Sequence, residues 1–401
     1  MFLIRQSKPA DVATLLKLAR MVFFINLPPD DRIIADKIAH STRCIRRLAG
    51  LPDAQTQREG SKHRGGYAST AADSDVFMFT MEDVESGGVV GTCQIKARMG
   101  GPGNPNFAFK LEERKFHSDS LNFGTTHTIA KLHRDESGPT EVGGLILSPS
   151  VRGGRLKPGR LLSFVRFHFI GLYRQLFADR ILAEMMAQVS SEGDNVFWDA
   201  IGRKFIPVRY SEADRFCQHN RQFIEELLPA DEIYLTLLPL EVLNTVGQVS
   251  RETVPARRML EKLGFTYKGF IDPFDGGPHL DAITDEIDVV RTTRRLTLGK
   301  AIDPAKAPEH GIVSVLNADG EFRALETDVL LEGKSLRLSK QAMHLLGASA
   351  GAEIGFTPLS RPDAPEPQKR VASADLKPAA GKSREKRTKS ASSRPRAAKP
   401  V

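Results

Sequence analysis

Two periods of apolar spacing run along the chain, one of two residues and one near 3.6, and they alternate. LIRQS reads as a short strand. KPADVATLLKLARMV follows as a helix, with Val12, Leu15, Leu16, Leu18 and Ala19 on one stripe and Asp11 placed to cap it. DRIIADKIAHSTRCIRRL carries the pattern of a second helix, and VFMFTMED and VVGTCQIKARM flank VESGG as the two strands of an antiparallel hairpin.

The alternation resumes after residue 139. TEVGGLILS is strand-like, SPSVRGGRLKPG is a loop, and RLLSFVRFHFIGLYRQLF is a helix whose Leu161, Val165, Phe169, Leu172 and Leu176 form one face, leaving Arg160, Arg166 and Arg174 free of it. RILAEMMAQV fits a buried strand, although its length also allows a helix. Phe197, Trp198 and Phe205 in NVFWDAIGRKF are expected in the core. ETVPARRMLEKLGFTYKGFID predicts a helix opened by Thr253 and Pro255, stopped by Gly264 and followed by a strand. From 305 to 360, strand, Asp-Gly turn, strand, helix and strand predict a small β-rich unit.

Charge changes the picture in one place. The formal net charge is +8, but residues 361–401 hold 12 Lys and Arg against 4 Asp and Glu, so residues 1–360 are balanced. That tail is rich in Pro, Ala, Ser and Lys and nearly free of large apolar residues, which predicts disorder and confines any nucleic-acid or other polyanion contact to it. Residues 52–74 are polar and small, as in an exposed loop. No run approaches the ~18 apolar residues of a membrane span, and charge comes too early for a signal peptide. Cys44, Cys93 and Cys217 are scattered and form no CxxC pair, and His127 and His133 lack spaced carboxylates; no metal is expected, and a cytoplasmic location is.

The candidate chemistry lies in the loop after TEVGGLILS. Gly153, Gly154 and Gly159 let the backbone approach a ligand closely, and the first N–H groups of the next helix, between Arg152 and Arg160, suit a phosphate. A tight turn alone accounts for the same glycines. The loop lacks the GKS or GKT ending of a nucleotide P-loop and the acidic residue of a dinucleotide site.

Together, VRGGRLKPGRLL and RRMLEKLGF resemble the CoA-binding motifs of the GNAT superfamily of acyl-CoA N-acyltransferases. More specifically, FWDAIGRKF, SEADRF, FIEELLPADEIYL, TVGQVSRETVPARRMLEKLGF, IDPFDGGPHLDA and LNADGEFRAL, in this order, resemble the arginine N-succinyltransferase family over roughly residues 1–360. The resemblance implies a GNAT-like α/β (α+β) fold, with a mixed, largely antiparallel sheet flanked by helices in residues 1–304, the small β-rich unit in 305–360 and the basic tail beyond.

It also implies an acyltransferase that moves succinyl from succinyl-CoA, its co-substrate, to the α-amine of arginine in a catabolic route. Through the family pattern, the backbone around Leu147, in a bulged strand, would contact the acyl-CoA together with Arg152, Gly153, Gly154, Gly159 and Arg160. Glu141 matches a family glutamate able to accept a proton, or is an ordinary charged strand end; His117 matches a family histidine, or is an ordinary strand-end residue.

Three departures bear on activity. VSRETVPA places Ser250 where the family carries a proton-donating histidine, and a hydroxyl does not titrate near neutral pH. MVFFINLP replaces a Gly-Thr segment at 21–28, and AEMMAQ lacks an arginine after AEM. The alternatives are another basic amino acid or acyl donor, or a noncatalytic CoA-binding regulatory subunit. The expected assembly is a homo-oligomer or a pairing with a homologous subunit, and no membrane partner is expected.

Overall fold

The computed structural model describes residues 1–21, 27–52, 74–217 and 221–362. The 21–28 segment lies partly outside these residues, and the 52–74 loop and the basic tail almost wholly so. Among the described residues, fifteen strands form one sheet: β1 (Phe2–Gln6), β2 (Val76–Asp83), β3 (Val89–Lys96), β4 (Asn106–Ser118), β5 (Phe123–Asp135), β6 (Thr140–Leu147), β7 (Arg180–Glu184), β8 (Ile233–Tyr234), β9 (Thr266–Ile271), β10 (Pro278–Ile283), β11 (Arg294–Leu298), β12 (Glu309–Leu316), β13 (Phe322–Glu332), β14 (Ser335–Arg337) and β15 (Glu353–Pro358). Their order is β12-β15-β11-β14-β13-β1-β2-β3-β6-β7-β10-β9-β4-β5-β8. All pairings are antiparallel except β6–β7 and β11–β14. This is a mixed α/β architecture with a largely antiparallel sheet.

The boundary expected at residue 304 falls between β11 and β12, and both strands lie in this sheet on either side of β15. The β-rich segment is therefore joined to the rest by backbone hydrogen bonds, through β1–β13 as well.

Helices α1 (Val12–Arg20) and α2 (Asp31–Leu48) pack Leu15, Leu18, Ile34 and Ile38 against Met78 and Ile146 of the sheet. Asp11 does not cap α1 as the sequence suggests. Its carboxylate instead accepts from both Nη atoms of Arg5, at 2.8 and 3.0 Å, and from the Lys8 N–H. A buried carboxylate takes the charged donor within reach in preference to a neutral one.

Helix α3 (Pro158–Leu172) is buried nearly all round, because the short helix Asp288–Thr292 packs on it together with strands of the sheet, β12 and β15 among them. His168 is wholly buried and bonded on both ring nitrogens, to Thr357 Oγ1 and Ser314 Oγ at 2.6 Å each. Arg166, expected outside the apolar face, is buried as well. RILAEMMAQV settles as the strand β7, which ends at Glu184. Trp198 and Phe197 are core residues, but Phe205 is 42% exposed: the helix breaks at Ile201 into two short pieces and Phe205 leaves the buried face.

Candidate active site

The site arises where two strands separate. β6 and β7 run parallel but pair only at Thr140–Ile181 and Glu141–Leu182. Just beyond, β6 bulges. Against β3, Gly143 faces Gln94 and Ile146 faces Thr92, so Gly144 and Leu145 together oppose one residue. Gly144 has φ +57°, and a Cβ there would stand 3.0 Å from Gln94 Cγ, which is why glycine occupies it.

Past the bulge the strands diverge around a cavity of about 300 Å3. Val142–Leu147 form one wall, Glu184–Met186 and Gln188–Ser191 the other, with Arg152, Arg166, Ser250 and Thr253 completing it. Of the residues read from the sequence, Leu147, Arg152 and Ser250 thus share one cavity. Arg152 Nε donates to the Leu147 carbonyl at 3.0 Å. Gly153 has φ +73°, and a Cβ on Gly159 would meet the Leu147 side chain at 3.6 Å, so the loop lies against the end of β6. Lys157, in a left-handed conformation, and Pro158 then start α3 without a side-chain cap; Pro158 has no N–H and the Arg160 N–H donates to the Lys157 carbonyl at 2.9 Å, which leaves the Gly159 N–H for a ligand.

Arg160 is not brought to the cavity. It ion-pairs with Glu326 and donates to the Ser360 carbonyl at 3.0 Å. His117 stands 59% exposed at the far end of the β4–β5 hairpin, 3.4 Å from Asp119. Glu141 is buried before the bulge, with Lys96 and Leu182 as cross-strand partners. Burial brings the nearby Lys37 amine down to about 8, and the Glu141 charge pulls the other way.

Ser250 is buried at the entry of the helix Val254–Lys262, its N–H bonded to the Met186 carbonyl at 3.1 Å and its Oγ 2.8 Å from Thr253 Oγ1. Thr253 therefore serves Ser250 and makes no side-chain cap bond to the helix it was expected to open.

Sequence reasoning missed Glu184. It lines the cavity at the end of β7, accepting from Asn106 Nδ2 at 2.8 Å, and the Asn106 amide is oriented by Arg221 at 2.7 Å. The available signal was a lone carboxylate inside an apolar strand. Behind it lie Asp272 and His279, each buried, with His279 Nε2 3.9 Å from a carboxylate oxygen of both Glu184 and Asp272. Burial opposes protonation of His279, but Asp272 and Glu184 outweigh it and raise its pKa. Burial and then the Asp272 charge push the neighbouring Asp214 carboxyl up to about 7. Donor atoms of Glu184, Asp272 and His279 lie within 4.8 Å of one another and could hold a metal ion, as could those of His40, Cys44 and Asp75. Asp275 is buried and accepts from the Ala187 and Gly277 N–H groups at 2.9 and 2.7 Å, which ties the turn at residues 275–277 to the cavity wall.

A family profile described as arginine N-succinyltransferase beta subunit matches residues 2–289. The chain belongs to the arginine N-succinyltransferase family. It is 32% identical over 293 residues to an arginine N-succinyltransferase of Yersinia pestis, covering 72% of this chain and 83% of the relative. It is 33% identical over 284 residues to that of Photorhabdus laumondii, covering 71% and 82%. Among solved structures, arginine/ornithine succinyltransferase subunit AI from Pseudomonas aeruginosa superposes with a TM-score of 0.70 at 25% identity, covering 89% of this chain and 98% of that one. Family membership thus coincides with a cleft in which the loop arginine, the bulged strand and Ser250 converge. Among the described residues, no helix is long and apolar enough to cross a membrane.

Proposed function

We propose that this chain is an acyl-CoA-dependent N-acyltransferase of the GNAT type that transfers the succinyl group of succinyl-CoA to the α-amine of arginine. The observation that carries this reading is the 300 Å3 cleft between β6 and β7, with the bulge at Gly144, Arg152 and Ser250 on its walls, in a chain of this family. The thioester lies along the bulge, whose N–H groups polarise the carbonyl, and the CoA phosphates lie against Arg152 and the start of α3.

The neutral amine attacks the thioester carbon, its proton passes to a carboxylate and the C–S bond breaks to release CoA thiolate. Glu184 suits the proton-accepting role because it lines the cleft; Glu141, paired with Leu182 on the neighbouring strand before the bulge, is the alternative carboxylate. Ser250, oriented by Thr253, donates a hydrogen bond to the departing sulfur. The chemistry asks no resident metal. The setting is cytoplasmic arginine catabolism, and the assembly pairs this chain with another copy or a homologous subunit, as the word subunit in the name of the Pseudomonas structure suggests.

The test is release of free CoA from succinyl-CoA or acetyl-CoA with arginine, ornithine and lysine as separate acceptors, with product masses. Turnover of succinyl-CoA with arginine, yielding a mass increase of one succinyl group, is the expected result. CoA binding without turnover of any acceptor would replace this reading with a regulatory subunit.

A further inference from the structure

Among the described residues, Arg166 is a buried charge without a counter-charge. It is 2% exposed in the middle of α3, one turn from the fully buried Leu162 and Ile170. Its Nε donates to the Ser163 carbonyl at 3.1 Å and its Nη2 to the Ser163 hydroxyl at 2.9 Å. A guanidinium has five N–H donors, so three remain, including both on Nη1. Among the described residues no carboxylate pairs with it, and burial pulls the guanidinium below its ordinary pKa. A buried cation with no anion destabilises a fold, so its presence asks for an anion that arrives from outside.

The cavity provides the route. Arg166 lines the same space as the bulged strand and Ser250, a space read above as the acyl-CoA cleft, and the inference rests on that reading. The phosphates of CoA are poor candidates for this anion, because Arg166 lies about 12 Å along the helix axis from Pro158, where the phosphate-binding turn begins. Two other anions enter the cleft, the terminal carboxylate of the acyl group and the α-carboxylate of the acceptor; we take the former, and binding measured without acceptor separates them. Acetyl and butyryl groups end in methyls, whereas a dicarboxylic acyl group ends in a carboxylate two methylenes from the thioester carbon.

We propose that Arg166 reads the donor: the free N–H edge of its guanidinium takes the terminal carboxylate of the succinyl group inside the cleft. Ser163 fixes the guanidinium plane from the opposite edge, so the fork is oriented before the donor enters. The residue sets which acyl-CoA is accepted and takes no part in bond making.

The experiment uses the full chain as wild type, Arg166→Met and Arg166→Lys. Dissociation constants for succinyl-CoA, butyryl-CoA and free CoA are measured by calorimetry without any acceptor, and kcat/KM for both acyl donors is measured with arginine. Wild type is expected to favour succinyl-CoA over butyryl-CoA. Arg166→Met should weaken succinyl-CoA by about 100-fold, as for loss of a buried charge pair, while butyryl-CoA and free CoA stay within about threefold. Arg166→Lys, which keeps the charge but not the fork, should fall between. Equal weakening of all three ligands, or unchanged succinyl-CoA affinity, overturns the proposal. If the Met variant does not fold by near-UV circular dichroism, the Lys variant decides by the same ratio. Selective succinyl-CoA binding without arginine turnover would sink the catalytic reading and leave this one standing.

Discussion

Arg160 is ion-paired with Glu326, a residue of β13 that lies 166 positions further along the chain. The same Glu326 oxygen accepts from His310 Nε2 at 2.9 Å. An arginine that the phosphate-binding motif assigns to a ligand is thus committed to the β-rich segment behind the loop, while Arg152, eight residues earlier, lines the cleft.

The two arginines should therefore separate on substitution. Arg152→Ala is expected to weaken free CoA by about tenfold with little change in Tm. Arg160→Ala should leave CoA affinity within about twofold but lower stability by ~2 kcal/mol, since Glu326 is nearly buried and loses its guanidinium partner. Calorimetric titration with CoA and a denaturant melt of each variant check both halves.

Ser250 and Thr253 act as a pair across 2.8 Å. Ser250→Ala should lower kcat by about tenfold with KM for succinyl-CoA nearly constant, because a hydrogen bond to the leaving sulfur strengthens only as charge develops there. Its pH–kcat profile should keep the wild-type limbs, since a hydroxyl contributes no titration near neutrality. A lost limb would show that Ser250 is coupled to a titrating group.

Glu184→Gln tests the proton acceptor while conserving shape. A drop in kcat of about 100-fold is expected, with acyl-CoA affinity unchanged. Glu141→Gln provides the comparison, and a larger loss there would move the role to the strand start. Single-turnover CoA release reads both.

His168 makes stability depend on pH. Burial holds its pKa down at about 3, against an ordinary 6.5, so between these values the unfolded chain binds a proton that the folded chain refuses. The resulting stability is full above pH 6.5 and is lost as pH falls toward 3. At pH 5 the loss from this group is about 2 kcal/mol relative to pH 7. Urea melts of wild type and His168→Asn at both pH values should differ by that increment, with the variant flatter.

Much of the local architecture was legible. The stripe Val12–Ala19, the run Asp31–Leu48, the hairpin around VESGG and the strand-loop-helix from Thr140 to Leu172 all lie where periodicity and turn residues put them. Asp11 was misread because its nearest charged donor, Arg5, belongs to a neighbouring strand. Phe205 was misread because a helix break at Ile201 turns its face. His117 matched a pattern, but it stands exposed near the tip of its hairpin and is not among the residues that line the cleft.

The sequence by itself determined the element order, the glycine-rich loop before α3, the balanced charge of residues 1–360 and, through its resemblance, the family. Each depends on neighbours along the chain or on motif order, and both survive in one dimension. Tertiary structure alone decided that Arg152, Ser250, Glu184 and Arg166 face one cavity while Arg160 faces another partner. Those relations join residues far apart in the chain, and a charge becomes a site only when burial removes the water that would otherwise solvate it.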